Sequence, residues 1–105
     1  MEIPESYRGS WEGMVKDDGR VNDYPCRVEL HVNGGHTRYC QVRGRAKGSL
    51  RVTQVTVSHV ELREDYVGPI DGPKTWTLTI RLSADGDLLC DWSGHARATL
   101  SRTSV

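Results

Sequence analysis

The residues best suited to bind an anion lie close together in the segment Arg43-Gly44-Arg45-Ala46-Lys47-Gly48, with Arg51 shortly after it. Arginine presents forked N–H donors that match carboxylate and phosphate oxygens. The two glycines bracket a predicted turn, in which backbone N–H groups can form an anion-binding nest. We therefore expect the anionic group of a ligand to be held or steered by Arg43, Arg45, Lys47 and Arg51.

The charge distribution along the chain singles out the same region. Fourteen Lys and Arg balance fourteen Asp and Glu, yet no acidic residue occurs between Glu29 and Glu61. The neutral total argues against bulk nucleic-acid binding, whereas the asymmetry favours an anionic ligand or an acidic protein partner. The alternative is a solvated face whose charges pair with acidic residues of a neighbouring strand, namely Glu61, Glu64 and Asp65.

No combination of residues predicts catalysis, a metal site or a cofactor. The four His residues lack metal-ligand spacing, and Cys26, Cys40 and Cys90 form no C-x-x-C pair. The G-x-S-x-G motif of serine hydrolases is missing as well. We expect a non-catalytic protein with no metal and no cofactor, in which each cysteine is a free thiol that acts as a small apolar residue on a strand.

The elements that must position these residues are short strands. Apolar and polar residues alternate throughout the chain, and Gly, Asp, Asn and Pro interrupt the alternation at short intervals, which is typical of an all-β domain. A hairpin turn is predicted at Asn33-Gly34-Gly35, and a bulge near Ser58 or His59. The predicted strands run over about residues 7–16, 26–32, 37–43, 49–54, 56–65, 75–82, 88–92 and 95–102.

Eight short strands joined by short turns predict a single all-β domain over residues 1–105: a small antiparallel up-and-down β-barrel. If the barrel is hollow, the aromatic residues Tyr39, Trp76 and Trp92 form the wall of a ligand site. The alternative is an interior filled by side chains. The expected inward set is Trp11, Val28, Leu30, Val32, Leu50, Val52, Val60, Leu62, Trp76, Leu78, Ile80, Leu82 and Leu100.

Gly9-Ser10-Trp11 on the first strand and Arg102 on the last strand resemble the lipocalin-like (calycin) small β-barrel family. The resemblance implies that Trp11 plugs one end of the barrel and that Arg102 lies across its indole, since a planar guanidinium covers an aromatic face well. Avidin-like barrels also open on a G-x-W strand, but no biotin-binding set is present to carry over.

We expect a non-catalytic binding module for a small amphipathic or anionic ligand, whose apolar part lies inside the barrel and whose anionic group meets the basic residues. The alternative is a ligand-free barrel that acts as a protein-interaction or inhibitor domain through its loops and basic residues. The segment Met1-Glu2-Ile3-Pro4-Glu5 lacks the apolar stretch of a secretory signal, and no run is long enough to span a membrane. With an odd number of cysteines, these features predict a cytoplasmic protein.

Overall fold

The computed structural model describes residues 1–19, 22–41, 44–68 and 75–103. It is a closed antiparallel barrel in which each strand pairs with the next along the chain and the last pairs with the first. A short 3-10 helix, Glu5–Tyr7, precedes the first strand. The strands are β1 Gly9–Asp17, β2 Tyr24–Leu30, β3 Gly34–Gln41, β4 Gly44–Val55, β5 Val60–Val67, β6 Thr75–Leu82, β7 Leu88–Trp92 and β8 Ala96–Arg102. The predicted up-and-down order of eight strands is confirmed.

The strands form because their side chains alternate between an apolar interior and solvent. In β2, for example, Cys26 and Val28 are buried while Pro25 and Arg27 are exposed. A one-residue slip would turn every apolar side chain outward, so this alternation also fixes the register between neighbouring strands. Closure of the barrel leaves no free strand edge.

One end of the barrel is closed by the segment that precedes β1. The indole N–H of Trp11, which is fully buried, donates to the carbonyl of Tyr7 at 2.9 Å. The Arg102 guanidinium carbon lies 4.2 Å from the centre of the Trp11 ring. Its two terminal nitrogens donate to the carbonyls of Arg8, at 2.6 Å, and Ser6, at 2.9 Å. Arg102 therefore ties this segment to β8, and the predicted packing of Trp11 on Arg102 is confirmed.

The segment from Gly44 to Gly48 differs from its prediction, because it begins β4 rather than forming a turn. Gly48 lies within the strand, opposite Thr37 on β3 and Tyr66 on β5. A residue on a regular strand cannot contribute to a nest of consecutive N–H groups, so the predicted anion-binding turn is wrong for this segment. Arg43 lies outside the described residues.

Glycine in the β2–β3 hairpin also has a different role from the predicted one. Gly34 and Gly35 have no positive φ and belong to β3 rather than to the turn. Glycine is required here because a Cβ on either residue would collide with a backbone carbonyl, that of Leu50 for Gly34 and that of Glu29 for Gly35. Close approach of neighbouring strands therefore explains the glycine pair.

Three smaller expectations are wrong. The bulge lies between Val52 and Gln54 on β4, and the predicted position belongs to the turn after that strand. Val32 follows β2 and is 42% exposed rather than inward. Cys40 is exposed, whereas Cys26 and Cys90 are buried as expected, and all three are free thiols.

Candidate functional site

The two halves of the barrel interior are packed differently. Near the closed end the interior side chains are bulky and at most 1% exposed: Trp11, Leu30, Val60, Ile80, Leu88 and Leu100. Toward the other end, small residues and aromatic rings face inward, and several keep small exposed fractions, from 4% to 9%: Tyr24, Tyr39, Ala46, Tyr66, Ala96 and Ala98. Small side chains fill less of the interior than the bulky ones near the closed end, so a site for a small molecule is best placed in this second half.

A carboxylate lies in the same half of the interior. Glu64 on β5 is only 1% exposed and has Leu50 on β4 and Trp76 on β6 as its cross-strand neighbours. Thr37 and Tyr39, both on β3, donate their hydroxyl hydrogens to the same carboxylate oxygen, Oε2. Glutamate is almost never fully buried without a charged partner, so its position calls for a physical explanation.

Gly48 provides the space for this carboxylate. Thr37 lies on β3 and Glu64 on β5, with β4 between them. A Cβ at Gly48 would lie 2.5 Å from Oε2 and 2.7 Å from Cγ of Glu64. The missing side chain at Gly48 therefore lets the threonine hydroxyl reach the carboxylate across an intervening strand.

Two polar atoms of the site have no hydrogen-bond partner among the described residues. They are the second carboxylate oxygen of Glu64, Oε1, and the indole nitrogen of Trp92, Nε1. Unpaired buried polar groups are rare in folded proteins and cost free energy. No described Lys, Arg or His forms an ion pair with Glu64. The site thus holds one free acceptor and one free donor.

Burial raises the pKa of the Glu64 carboxyl above its ordinary value, because the charged form loses its hydration. The hydrogen bonds from Thr37 and Tyr39 oppose this rise. The indole N–H of Trp92 also opposes the rise in this pKa, and its effect is the smallest of the three. It lies near the carboxylate but does not meet the geometry of a hydrogen bond. Burial also raises the pKa of the Tyr39 hydroxyl and of the Cys26 and Cys90 thiols, so these groups stay neutral beside the carboxylate.

Five aromatic rings form a connected group in the same half of the barrel as the carboxylate. Tyr39 is central, because its ring centre lies 6.1 Å from that of Tyr24, 5.9 Å from that of Tyr66 and 6.2 Å from that of Trp92. Trp76 extends the group, 6.2 Å from Tyr66. The structure therefore brings together the predicted wall residues Tyr39, Trp76 and Trp92.

The predicted basic residues that the structure describes lie elsewhere, on the outside of the barrel. Arg45, Lys47 and Arg51 alternate along β4 with inward residues and are all exposed. Lys47 lies directly opposite Arg38 on β3. Within the described residues, none of these four cations forms an ion pair.

For the cations that the structure describes, the alternative of pairing with acidic residues on β5 is therefore wrong. Glu64 points inward, and Asp65 pairs instead with Arg63 on its own strand, at 3.4 Å. An open groove of about 1230 Å³ runs along the outside past Arg38, Arg45 and Lys47. Two large apolar side chains, Met14 at 49% exposure and Val67 at 65%, line the same groove.

Sequence reasoning missed Glu64 as a site residue, although its parity carried a signal. Leu62, Glu64 and Tyr66 alternate along β5, so a strict reading of the strand places a carboxylate on the apolar face.

No three His, Cys, Asp or Glu side chains of the described residues lie close enough together to hold a metal ion. Among the residues that the structure describes, no helix has the length and apolar character of a membrane span.

Comparisons with known proteins agree with the fold. No family model matches the chain, and no curated protein matches it in sequence. Protein yxeF, known from a solution NMR structure, is similar to this chain, with a TM-score of 0.53 at 22% sequence identity. The match covers 100% of this chain and 76% of that one. At this level of identity the likeness shows an eight-stranded antiparallel barrel and nothing of function.

Proposed function

We propose that the protein is a non-catalytic binding module that holds a small amphipathic molecule inside a lipocalin-like barrel. The observation that carries the proposal is the pair of unpartnered buried atoms, Oε1 of Glu64 and Nε1 of Trp92, within an aromatic wall. A few fixed polar groups in a mainly apolar site are the usual composition of a small-molecule pocket. A ligand with an apolar body and one polar end satisfies both.

The lipocalin-like assignment rests on the closed end of the barrel. Trp11 under Arg102 matches the arrangement implied by the resemblance of the sequence motifs. The short 3-10 helix Glu5–Tyr7 precedes β1 at the same end. One end is thereby sealed by side chains, and a ligand enters from the opposite end. A reducing, cytoplasmic location is part of the same proposal, since all three cysteines are free.

Native mass spectrometry of protein purified from its source tests the proposal. We expect a fraction of the protein to carry a small molecule that is released on unfolding. Heteronuclear NMR of the emptied protein, titrated with the released compound, should then shift the indole N–H of Trp92 and leave that of Trp11 unchanged. Shifts confined to exposed residues of β3 and β4 would contradict an interior site.

A second candidate function uses the outer basic face, defined here by Arg38, Arg45 and Lys47. Like charges directly opposite each other destabilise a sheet, and Arg38 faces Lys47 without an acidic partner among the described residues. An acidic protein surface would supply the missing charges and steer association.

The test of this second function is a pull-down at low and high salt. It compares the wild type with an Arg45→Glu/Lys47→Glu double variant. We expect a partner of the basic face to be lost from the double variant, and from the wild type at high salt. A partner retained by both proteins at both salt concentrations would exclude an electrostatic interface.

A further inference from the structure

We propose that the interior site selects an organic ammonium ion, held by the free carboxylate oxygen of Glu64 and by the surrounding aromatic rings. The inference rests on the proposed function, because it names the class of ligand that the barrel would hold. It replaces the anionic ligand suggested by the basic residues of the sequence. Those residues that are described all point away from the interior.

The first argument concerns charge. An ionised carboxylate in the interior costs several kcal/mol unless a cation and hydrogen bonds compensate for its lost hydration. Glu64 has two neutral hydroxyl donors on one oxygen. On the other, the indole N–H of Trp92 comes near without hydrogen-bond geometry, and no cationic side chain of the described residues is in ion-pair contact. A ligand N–H group bearing a positive charge would supply both missing elements at Oε1.

The second argument concerns the rings. The faces of Tyr and Trp attract cations electrostatically, and an aromatic cage is a recurrent means of binding an ammonium group. Here Tyr24, Tyr39, Tyr66, Trp76 and Trp92 are linked by ring-centre distances of 5.9 to 6.2 Å, and Tyr39 of this group donates a hydrogen bond to the carboxylate. An anion would meet the negative charge of the carboxylate, so the same site disfavours it.

The third argument concerns the other free atom. Nε1 of Trp92 can only donate a hydrogen bond, so it requires an acceptor on the ligand or on water. An ammonium ion uses Oε1 and leaves this donor for a second ligand group. The free oxygen on Glu64 also favours an amine that retains an N–H over a fully substituted ammonium, which has no hydrogen to donate.

The experiment uses three probes of one shape: benzylammonium, benzyl alcohol and benzoate. Each is titrated into the full chain near neutral pH and followed by calorimetry and by NMR of the indole N–H groups. We expect benzylammonium to bind about tenfold or more tightly than benzyl alcohol, the size of one charge-assisted hydrogen bond, and benzoate to bind most weakly.

The matched variants are Glu64→Gln and Glu61→Gln. The first removes a negative charge from the interior, and the second removes one from the more exposed face of the same strand. Glu64→Gln keeps the side-chain shape, and circular dichroism confirms its fold. We expect it to lose about tenfold in benzylammonium affinity and little in benzyl alcohol affinity, whereas Glu61→Gln binds all probes as the wild type does.

The outcomes separate this inference from the proposed function. Equal affinity for benzylammonium and benzyl alcohol, with the Trp92 indole shifted by both, would overturn ammonium selection and support a binding barrel. Tighter binding of benzoate would overturn it too. If none of the probes shifts an interior resonance, the ammonium site is contradicted, whereas the proposed function is decided separately by the compound that native mass spectrometry finds.

Discussion

Thr37 on β3 donates its hydroxyl hydrogen to Glu64 on β5. The strand between them is β4, and its residue at the contact is Gly48, which has no side chain to block the hydrogen bond. The contact joins two strands that are not neighbours in the barrel. It depends on three residues at once: a donor, a buried acceptor and the missing side chain at Gly48. Removal of any one of them changes the environment of the other two, so their effects on stability should not be additive.

The first prediction concerns Gly48. Gly48→Ala places a methyl group 2.5 Å from Oε2 of Glu64, so the carboxylate or the strand must move. We expect the free energy of unfolding to fall by about 1–3 kcal/mol, the usual cost of overpacking an interior. Urea denaturation measures the loss, and Ser49→Ala, on the exposed face of the same strand, is the matched control.

A double variant distinguishes a clash with Glu64 from a general intolerance of β4 to alanine. Glu64→Ala removes two of the three nearest atoms that the new methyl group would meet and leaves the third, the hydroxyl oxygen of Thr37. The Gly48→Ala/Glu64→Ala protein should therefore be less destabilised than the sum of the two single variants. Additive losses would show that the carboxylate is not what excludes a side chain at Gly48.

The closed end of the barrel was predictable from the motif resemblance that Trp11 and Arg102 carry. The position of each residue on its strand agrees with that resemblance. The strand order was predictable for a different reason. Short turns between strands favour pairing of consecutive strands as hairpins. Glycine was harder to interpret. Gly34 and Gly48 were assigned to turns, yet both lie on strands where another atom needs the space of a side chain, and nothing local records that contact.

The interior site was only half predictable. Its aromatic wall followed from alternation, because Trp92 and Tyr39 are large apolar residues on clear strands. Glu64 was treated as a surface charge, since carboxylates are rarely buried. Its burial results from Thr37 and Tyr39, which lie more than twenty residues earlier in the chain. Such a contact is visible only once the register of β3, β4 and β5 is known.

The second prediction concerns the closed end. Arg102→Lys retains the charge but loses the fork that donates to Arg8 and Ser6 and covers Trp11. We expect a loss of about 1 kcal/mol in the free energy of unfolding, and a larger loss for Arg102→Ala. Arg97→Lys, an exposed position on the same strand, should change stability little. Equal effects at both positions would contradict a role for the guanidinium fork.

The third prediction concerns the cysteines. Cys40 is exposed, whereas Cys26 and Cys90 are buried and burial raises the pKa of both thiols. Because the thiolate is the reactive form, iodoacetamide should modify one cysteine rapidly in the folded protein. Mass spectrometry should identify that residue as Cys40, and unfolding in urea should expose all three. Rapid modification of Cys26 or Cys90 in the folded protein would contradict the packed interior.

The fourth prediction follows from the raised pKa of Glu64. A carboxyl whose pKa is higher in the folded chain than in the unfolded chain binds a proton on folding. Its contribution to stability is therefore greatest below the unfolded pKa, near the ordinary value of 4.5, and is lost as the pH rises through the folded pKa. The neighbouring Tyr39, Cys26 and Cys90 have pKa values raised well above their ordinary values, so they stay neutral throughout this range.

Glu64→Gln should therefore stabilise the unliganded protein near neutral pH, because the amide remains uncharged. The gain should shrink toward zero at about pH 4, where the wild-type carboxyl is itself protonated. Denaturation curves of both proteins across this range measure the difference, and Glu61→Gln, partly exposed on the same strand, controls for net charge. A gain that is independent of pH would show that the carboxyl is not titrating inside the barrel. A destabilisation at neutral pH would show that the carboxylate makes a favourable interaction that the amide cannot reproduce.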